Sequence, residues 1–476
     1  MKKRDLFLPY VVALLLCVCI SIPVFSNSIV MDEAYSIELV RGSMGEIIRG
    51  TAGDVHPPLY YLILKISAFF GGEDLMKYRF VTALATYLNL LWLGATVIRK
   101  RWGSKVSLFY LLWFGLSYST IEKSTLVRMY SWGAFFVTAS ALFLFAYYEK
   151  SKVRDLVVGV LMTLGAMYSH YYAVMAVFSA WLVLLVAIWL RDRKQIWKIL
   201  LCGVVIGLGY LPWLGVVLQQ SRKVSNSYWI TSFDWNEWFS TPALLMDNIF
   251  NGLGIAMYFL IFVLFVRAII RKKIDALASM TVFLGTMFIG ALLSLIVAPI
   301  WTPRYLYVAW GMLSLFAAIV IGEDGSLHML LAQGGLFILL CVMGFFSVRT
   351  MLQDELMTST ASEWVAYLKE NVEADACLIV DDPYEHYVVY RYYLPEADFV
   401  MVEELTALGG KRSLTDILNG DQQLWYVVND IMPRCGVTRM SELMEAEGFE
   451  IEQTAYYTIQ DKRLEVFAIG ERAHEE

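Results

Sequence analysis

The chain has 476 residues, too many for one compact domain, and its 58% hydrophobic, 15% aromatic and 17% charged content excludes an ordinary soluble protein. Its net charge of −6 conceals a split: from Met351 onward there are 26 acidic and 9 basic residues, a balance of −17, against 18 and 29 before it, a balance of +11. A basic, apolar front and an acidic, more polar tail are different objects, so the domains are read as 1–350 and 351–476.

Apolar runs of about 17–25 residues read as membrane-spanning helices. They fall near 6–27, 77–98, 106–121, 131–148, 155–171, 173–190, 196–217, 250–270, 277–298, 304–321 and 327–347, about eleven in all. The first follows Met1-Lys2-Lys3-Arg4 in the manner of a signal peptide. It is longer than a typical signal core and lacks a clear small-x-small cleavage site, so it is read as a retained helix. The fold class is thus a polytopic α-helical membrane protein with a C-terminal soluble α/β domain.

Basic residues cluster at every second loop: Lys2, Lys3 and Arg4; Arg99, Lys100, Arg101 and Lys105; Lys150, Lys152 and Arg154; Arg191, Arg193, Lys194 and Lys198; and Arg267, Arg271, Lys272 and Lys273. The positive-inside rule puts these loops in the cytoplasm. The loop with Glu323-Asp324 carries no basic residue and departs from the pattern. An odd span count leaves the acidic tail outside the cell membrane.

This phasing collects the informative residues on the outer face. The first external loop, 28–76, holds Asp32, Glu33 and His56-Pro57-Pro58-Leu59-Tyr60-Tyr61. Later outer segments hold Glu122 to Tyr130, His170-Tyr171-Tyr172, the loop from Tyr228 to Trp238, and Arg304-Tyr305. In the tail, Ser362–Val372 reads as a helix, Ala376–Val380 and Gln423–Val428 as strands, and Phe449–Ile459 with Leu464–Ile469 as a hairpin-like pair. Asp381-Asp382 reads as a solvated strand end rather than a metal site. Of six cysteines, Cys377 and Cys435 can pair if the tail is extracytoplasmic.

Neither a phosphate-cradling glycine loop, nor HExxH, nor a CxxC pair is present. An enzyme working outside has no nucleotide supply, so a membrane-borne donor such as a sugar on a polyprenyl phosphate fits better. Such a transfer needs a carboxylate to take the acceptor proton and cationic donors for the leaving phosphate. Asp32 or Glu33 can be the base. Arg128 and Arg304 can face the phosphate, with Tyr130 and Tyr305 beside them, because guanidinium forks match phosphate oxygens. His56, Tyr60, Tyr61, Glu122, His170 and Tyr171 complete the candidate pocket. A divalent metal ion is left open, and no nucleic-acid partner is expected.

Each residue also has a plainer reading. Asp32-Glu33 can be solvated loop charge, and Glu33 can orient the loop by pairing with an arginine. His56 can simply open a helix, since proline suits the first turn. Glu122, Arg128 and Arg304 can be interfacial anchors, and the aromatic residues an interfacial belt. A transporter or flippase would place charged or broken helices at mid-membrane, and a non-catalytic scaffold would leave the polar set without a purpose.

Taken in order, these segments resemble the C-type glycosyltransferase superfamily, in the branch of protein O-mannosyltransferases and bacterial aminoarabinose transferases. The likeness lies in Met31-Asp32-Glu33-Ala34-Tyr35; in the His-Pro-Pro-Leu segment opening a helix along the membrane, His56 to Phe70, followed by Tyr78-Arg79; in Glu122 with Arg128-Met129-Tyr130; and in Pro303-Arg304-Tyr305. It covers roughly residues 1–320 and implies sugar transfer from a polyprenyl-phosphate donor to an acceptor hydroxyl or phosphate, with inversion and with Asp32 as base. Tyr60-Tyr61 stands where the eukaryotic mannosyltransferases have Gly-Lys, so neither mannose nor a protein acceptor is implied.

Overall fold

The computed structural model describes residues 3–25, 29–70, 75–226, 230–246, 253–323, 327–357, 366–381, 387–429, 433–459 and 462–471. The chain packs as two units, Met1–Phe25 with Leu39–Met351 and Ser26–Glu38 with Leu352–Glu476. The tail thus begins where the charge balance changes. The stretch Ser26–Glu38, expected within the first domain, groups with the second.

In the first unit, eight helices among the described residues are long and apolar enough to cross a membrane. One of them, Leu75–Gly115, carries two of the expected runs and is broken at Gly103, whose φ of 90° suits a residue without Cβ. Val153–Met167, at 15 residues, is shorter, and Leu253–Ile270, at 18 residues, matches the expected run near 250–270. The helix Trp310–Gly322 is buried along its whole length. Small residues let its neighbours close in: a Cβ on Gly311 would meet Thr138 Oγ1 at 2.2 Å, and one on Gly322 the Val106 backbone at 2.8 Å. By contrast, Ile196–Asn226 exposes Leu200, Leu201, Val204, Leu208 and Leu211, an outward face suited to lipid. Buried hydroxyls pair inside the bundle, as with Thr86 Oγ1 and Ser124 Oγ at 3.0 Å and Trp310 Nε1 donating to Ser117 Oγ at 2.9 Å. A bilayer interior demands such pairing because it offers no water.

The second unit contains a five-stranded sheet: β1 (Cys377–Asp381), β2 (Asp398–Met401), β3 (Leu424–Asn429), β4 (Phe449–Ile459) and β5 (Lys462–Glu471), in the order β2-β1-β3-β5-β4. The first three strands are parallel; β5 and β4 are antiparallel additions. Alternation sorts the side chains onto two cores, Leu378, Val380, Trp425 and Val427 on one face and Cys377, Ile379, Tyr426 and Val428 on the other. Both faces are therefore covered, as a parallel sheet requires. The predicted helix Ser362–Val372 is described only from residue 366, and Asp382 lies outside the described residues.

One tail expectation is corrected. Asp381 is not a solvated strand end: it is fully buried and its carboxylate accepts from Tyr426 Oη at 3.0 Å and from the peptide N–H groups of Arg434 (2.7 Å), Cys435 (3.0 Å) and Gly436 (2.7 Å). Cys377 and Cys435, for which pairing was only a conditional possibility, are both free thiols, pushed up to about 11 chiefly by burial and then by neighbouring carboxylates. Thiols so protonated are poor nucleophiles.

Candidate active site

The first unit builds its polar cluster from chain breaks between helices. Ser43 and Glu46 form a capping box that starts the helix Met44–Gly53. Pro57 and Pro58 interrupt the chain, because proline lacks an N–H and biases the preceding residue away from helix. The helix Leu59–Leu64 follows, continued as a tighter turn over Lys65–Phe69. Its first amide, Leu59 N–H, donates to the Tyr168 carbonyl at 2.9 Å, fixing this segment against the turn that carries His170. His56 and Tyr61 are both buried there.

Arg128 occupies a second break, between the helices Tyr118–Thr125 and Tyr130–Lys150. Its Nη2 lies 2.9 Å from His56 Nε2 and its Nη1 is 3.4 Å from the Tyr61 hydroxyl. A guanidinium has no acceptor, so it must donate, and His56 receives on a bare Nε2 with its proton on Nδ1. Asp54 Oδ2 is 3.9 Å from the same ring nitrogen. Glu122 pairs with the next residue, Lys123 Nζ, at 2.6 Å, and that buried ammonium sits 5.6 Å from the centre of the Tyr130 ring.

His170 occupies a third break. It caps the helix Tyr171–Arg191, its Nδ1 accepting the Tyr172 N–H at 3.1 Å. Its ring lies 5.6 Å from Tyr130 and 5.2 Å from Tyr305, and Tyr130 stacks on Tyr305 at 6.3 Å. The Arg304 guanidinium is 5.6 Å from the Tyr305 ring. Burial, and then the charges of Arg128 and Arg304, hold His170 well below the ordinary imidazole range. The ring is therefore neutral near pH 7, with Nε2 as its N–H donor. Two arginines, two histidines and two stacked tyrosines thus converge, and such a set can bind and orient an anion.

Other expected pocket residues are turned to structural work. Tyr171 Oη donates to Gln220 and receives Trp213 Nε1 at 3.2 Å, while Gln220 Nε2 donates to the Thr51 carbonyl at 2.8 Å. This chain of bonds ties the helix Ile196–Asn226 to Met44–Gly53. Tyr60 is fully buried with its hydroxyl 2.9 Å from Thr82 Oγ1. Arg79 reaches the Pro23 carbonyl at 3.0 Å and joins the first span to the second. In the tryptophan loop, Trp238 is core, donating to the Met287 carbonyl at 3.2 Å; Trp235 is half exposed, and Tyr228 and Trp229 lie outside the described residues. Tyr172, singled out in the sequence with His170 and Tyr171 but not assigned to the pocket, and Trp301, which was not singled out, extend the aromatic wall, Tyr172 lying 5.4 Å from Tyr305 and 6.1 Å from Trp301. Their proximity to His170 and Arg304 in the chain was the available signal.

Asp32 and Glu33 stand in the second unit, in the first turn of the helix Met31–Arg41. Carboxylates are favoured there by the helix dipole. Glu33 is buried and its Oε2 accepts the Val30 N–H at 3.4 Å, a weak capping contact; Asp32 is only partly buried, and its carbonyl receives the Ser36 hydroxyl at 2.9 Å. Among the described residues no group of three or more His, Cys, Asp or Glu is placed to hold a metal ion.

No family model matches the chain, and neither does any curated protein. Solved structures do match over nearly the full length. ArnT from Cupriavidus metallidurans in the apo state superposes with a TM-score of 0.66 at 14% identity, covering 97% of each chain. The same protein bound to undecaprenyl phosphate gives 0.64 at 13% identity, covering 98% of each. The chain has the ArnT fold. With eight apolar helices long enough to cross a membrane among the described residues, the fold is that of a multi-pass membrane protein. At such low identity the ArnT likeness is one of backbone.

Proposed function

We propose that this protein is an inverting membrane glycosyltransferase that moves a sugar from a polyprenyl-phosphate donor to an extracytoplasmic acceptor. The observation that carries this reading is the cluster in which Arg128 meets His56 and Tyr61 while His170 lies against Tyr130 and Tyr305, with Arg304 over the Tyr305 ring. One ArnT structure was solved with undecaprenyl phosphate, which supports a donor of that chemistry. In the reaction, the acceptor oxygen forms a bond to the anomeric carbon from the face opposite the phosphate. The bond from that carbon to the phosphate oxygen breaks, and its electron pair leaves with the polyprenyl phosphate. Asp32 takes the acceptor proton. Arg128 and Arg304 stabilise the departing phosphate, and His170 Nε2–H adds a neutral donor.

Purified protein supplied with radiolabelled polyprenyl-phosphate sugar tests this reading. Transfer or stimulated release of the sugar supports an enzyme; exchange of donor across the bilayer without turnover supports a flippase, and absence of binding a scaffold. Arg128→Ala and Arg304→Ala should each weaken donor binding by roughly 10–100-fold, as expected for a charge-assisted bond worth about 1.5–3 kcal/mol. Tyr171→Phe should leave donor affinity within about 2-fold, because its hydroxyl serves Gln220. Equal losses in all three variants would point to misfolding and not to phosphate recognition.

We infer the outer membrane face for this chemistry from the basic loops. Cysteines introduced at Gly53 and Lys105, both exposed, report it: an impermeant thiol reagent added to intact cells should label the first and spare the second. The opposite labelling would reverse the assignment.

A further inference from the structure

Ser26–Glu38 packs with Leu352–Glu476 although seven of the eight candidate spans among the described residues lie between them in the chain. A direct tie is an ion pair, with Arg391 Nε 3.4 Å from Glu38 Oε1. Glu38 stands on the helix Met31–Arg41, about 9 Å along its axis from Asp32 at 1.5 Å per residue. Arg391 stands on the helix Tyr387–Tyr393, which Tyr390 and the following Leu394 root in the core formed with Leu378, Val380 and Val427. An 11-residue helix is marginal by itself, so its placement depends on what holds it. We propose that Glu38 and Arg391 are positioning residues, through which the C-terminal sheet sets the placement, within the second unit, of the helical residues 31–38 and so of Asp32. The inference rests on the reading of Asp32 as the base.

Both side chains are partly exposed, Arg391 by 49% and Glu38 by 31%, so water and salt screen the pair and its effect is moderate. The test uses the full chain in lipid nanodiscs, with steady-state kinetics on the labelled donor and amide hydrogen exchange on Met31–Arg41. Arg391→Ala should lower kcat about 2–5-fold with donor KM unchanged, in proportion to the modest energy of an exposed pair. Arg391→Glu and Glu38→Arg should each lower it further, and the double exchange should recover kcat to within about 2-fold of the native protein. Exchange at Met31–Arg41 should quicken in the single variants and return in the double one, with strands β1 and β3 protected throughout. Faster exchange with unchanged kcat would overturn the inference by making the pair merely structural. Single variants without effect, or losses that simply add in the double variant, would also overturn it. An Asp32→Asn control separates the two levels: if that variant keeps native turnover, the functional reading falls and takes this one with it. If it is inactive while the charge exchange does nothing, only the positioning role falls.

Discussion

Asp32→Asn is expected to lower turnover by about 10²–10⁴-fold while leaving donor affinity nearly unchanged. The substitution keeps the shape of the side chain and removes its basicity. Without a positioned base the acceptor oxygen must attack with its proton still attached, and the loss falls on the transition state and not on donor binding. Single-turnover rates measured beside a donor titration give the two quantities separately. Glu33→Gln should be the milder change, because Glu33 is buried with its carboxylate turned to the Val30 N–H. If Asp32→Asn stays near native while Glu33→Gln abolishes turnover, the base is Glu33. If both remain active, the first-loop carboxylates are not catalytic and the proposed mechanism fails.

The second large effect concerns the tail. Asp381→Ala removes the acceptor for the Tyr426 hydroxyl and for three peptide N–H groups. Each buried donor left unsatisfied costs about 1–3 kcal/mol, and their combined loss is comparable with the stability of a small domain, roughly 5–15 kcal/mol. The tail of the full-length variant should become protease-sensitive under conditions where the native tail resists. Asp381→Asn retains one acceptor oxygen and should lie between the two. Burial also keeps Tyr426 protonated, so its hydroxyl remains a donor to Asp381 across the ordinary pH range. A tail that resists protease equally with and without Asp381 would show that the loop Arg434–Gly436 is held by other contacts.

Hydropathy read along the chain was enough to place the apolar helices and the change of architecture near Met351, because both depend on sums over local windows. The strands at Cys377–Asp381 and Leu424–Asn429 were legible for the same reason: short apolar runs bounded by polar residues leave few alternatives. The gap between the runs near 77–98 and 106–121 was legible too, and Gly103 breaks the chain there; what a window cannot see is that the helix Val153–Met167 has only 15 residues. At the candidate site the residue types were readable and their partners were not.

What the sequence alone determined, then, is the membrane class, the α/β tail and the set of polar and aromatic residues between the spans. Only the tertiary structure decided which of them act together. It joins Arg128 to His56 across 72 positions, turns Tyr171 toward Gln220, buries Asp381 under three amides and groups Asp32 with the tail. The physical reason is that hydrophobic burial scales with local composition, whereas a hydrogen bond depends on ångström-scale approach and angle between groups that the packing of distant segments brings together.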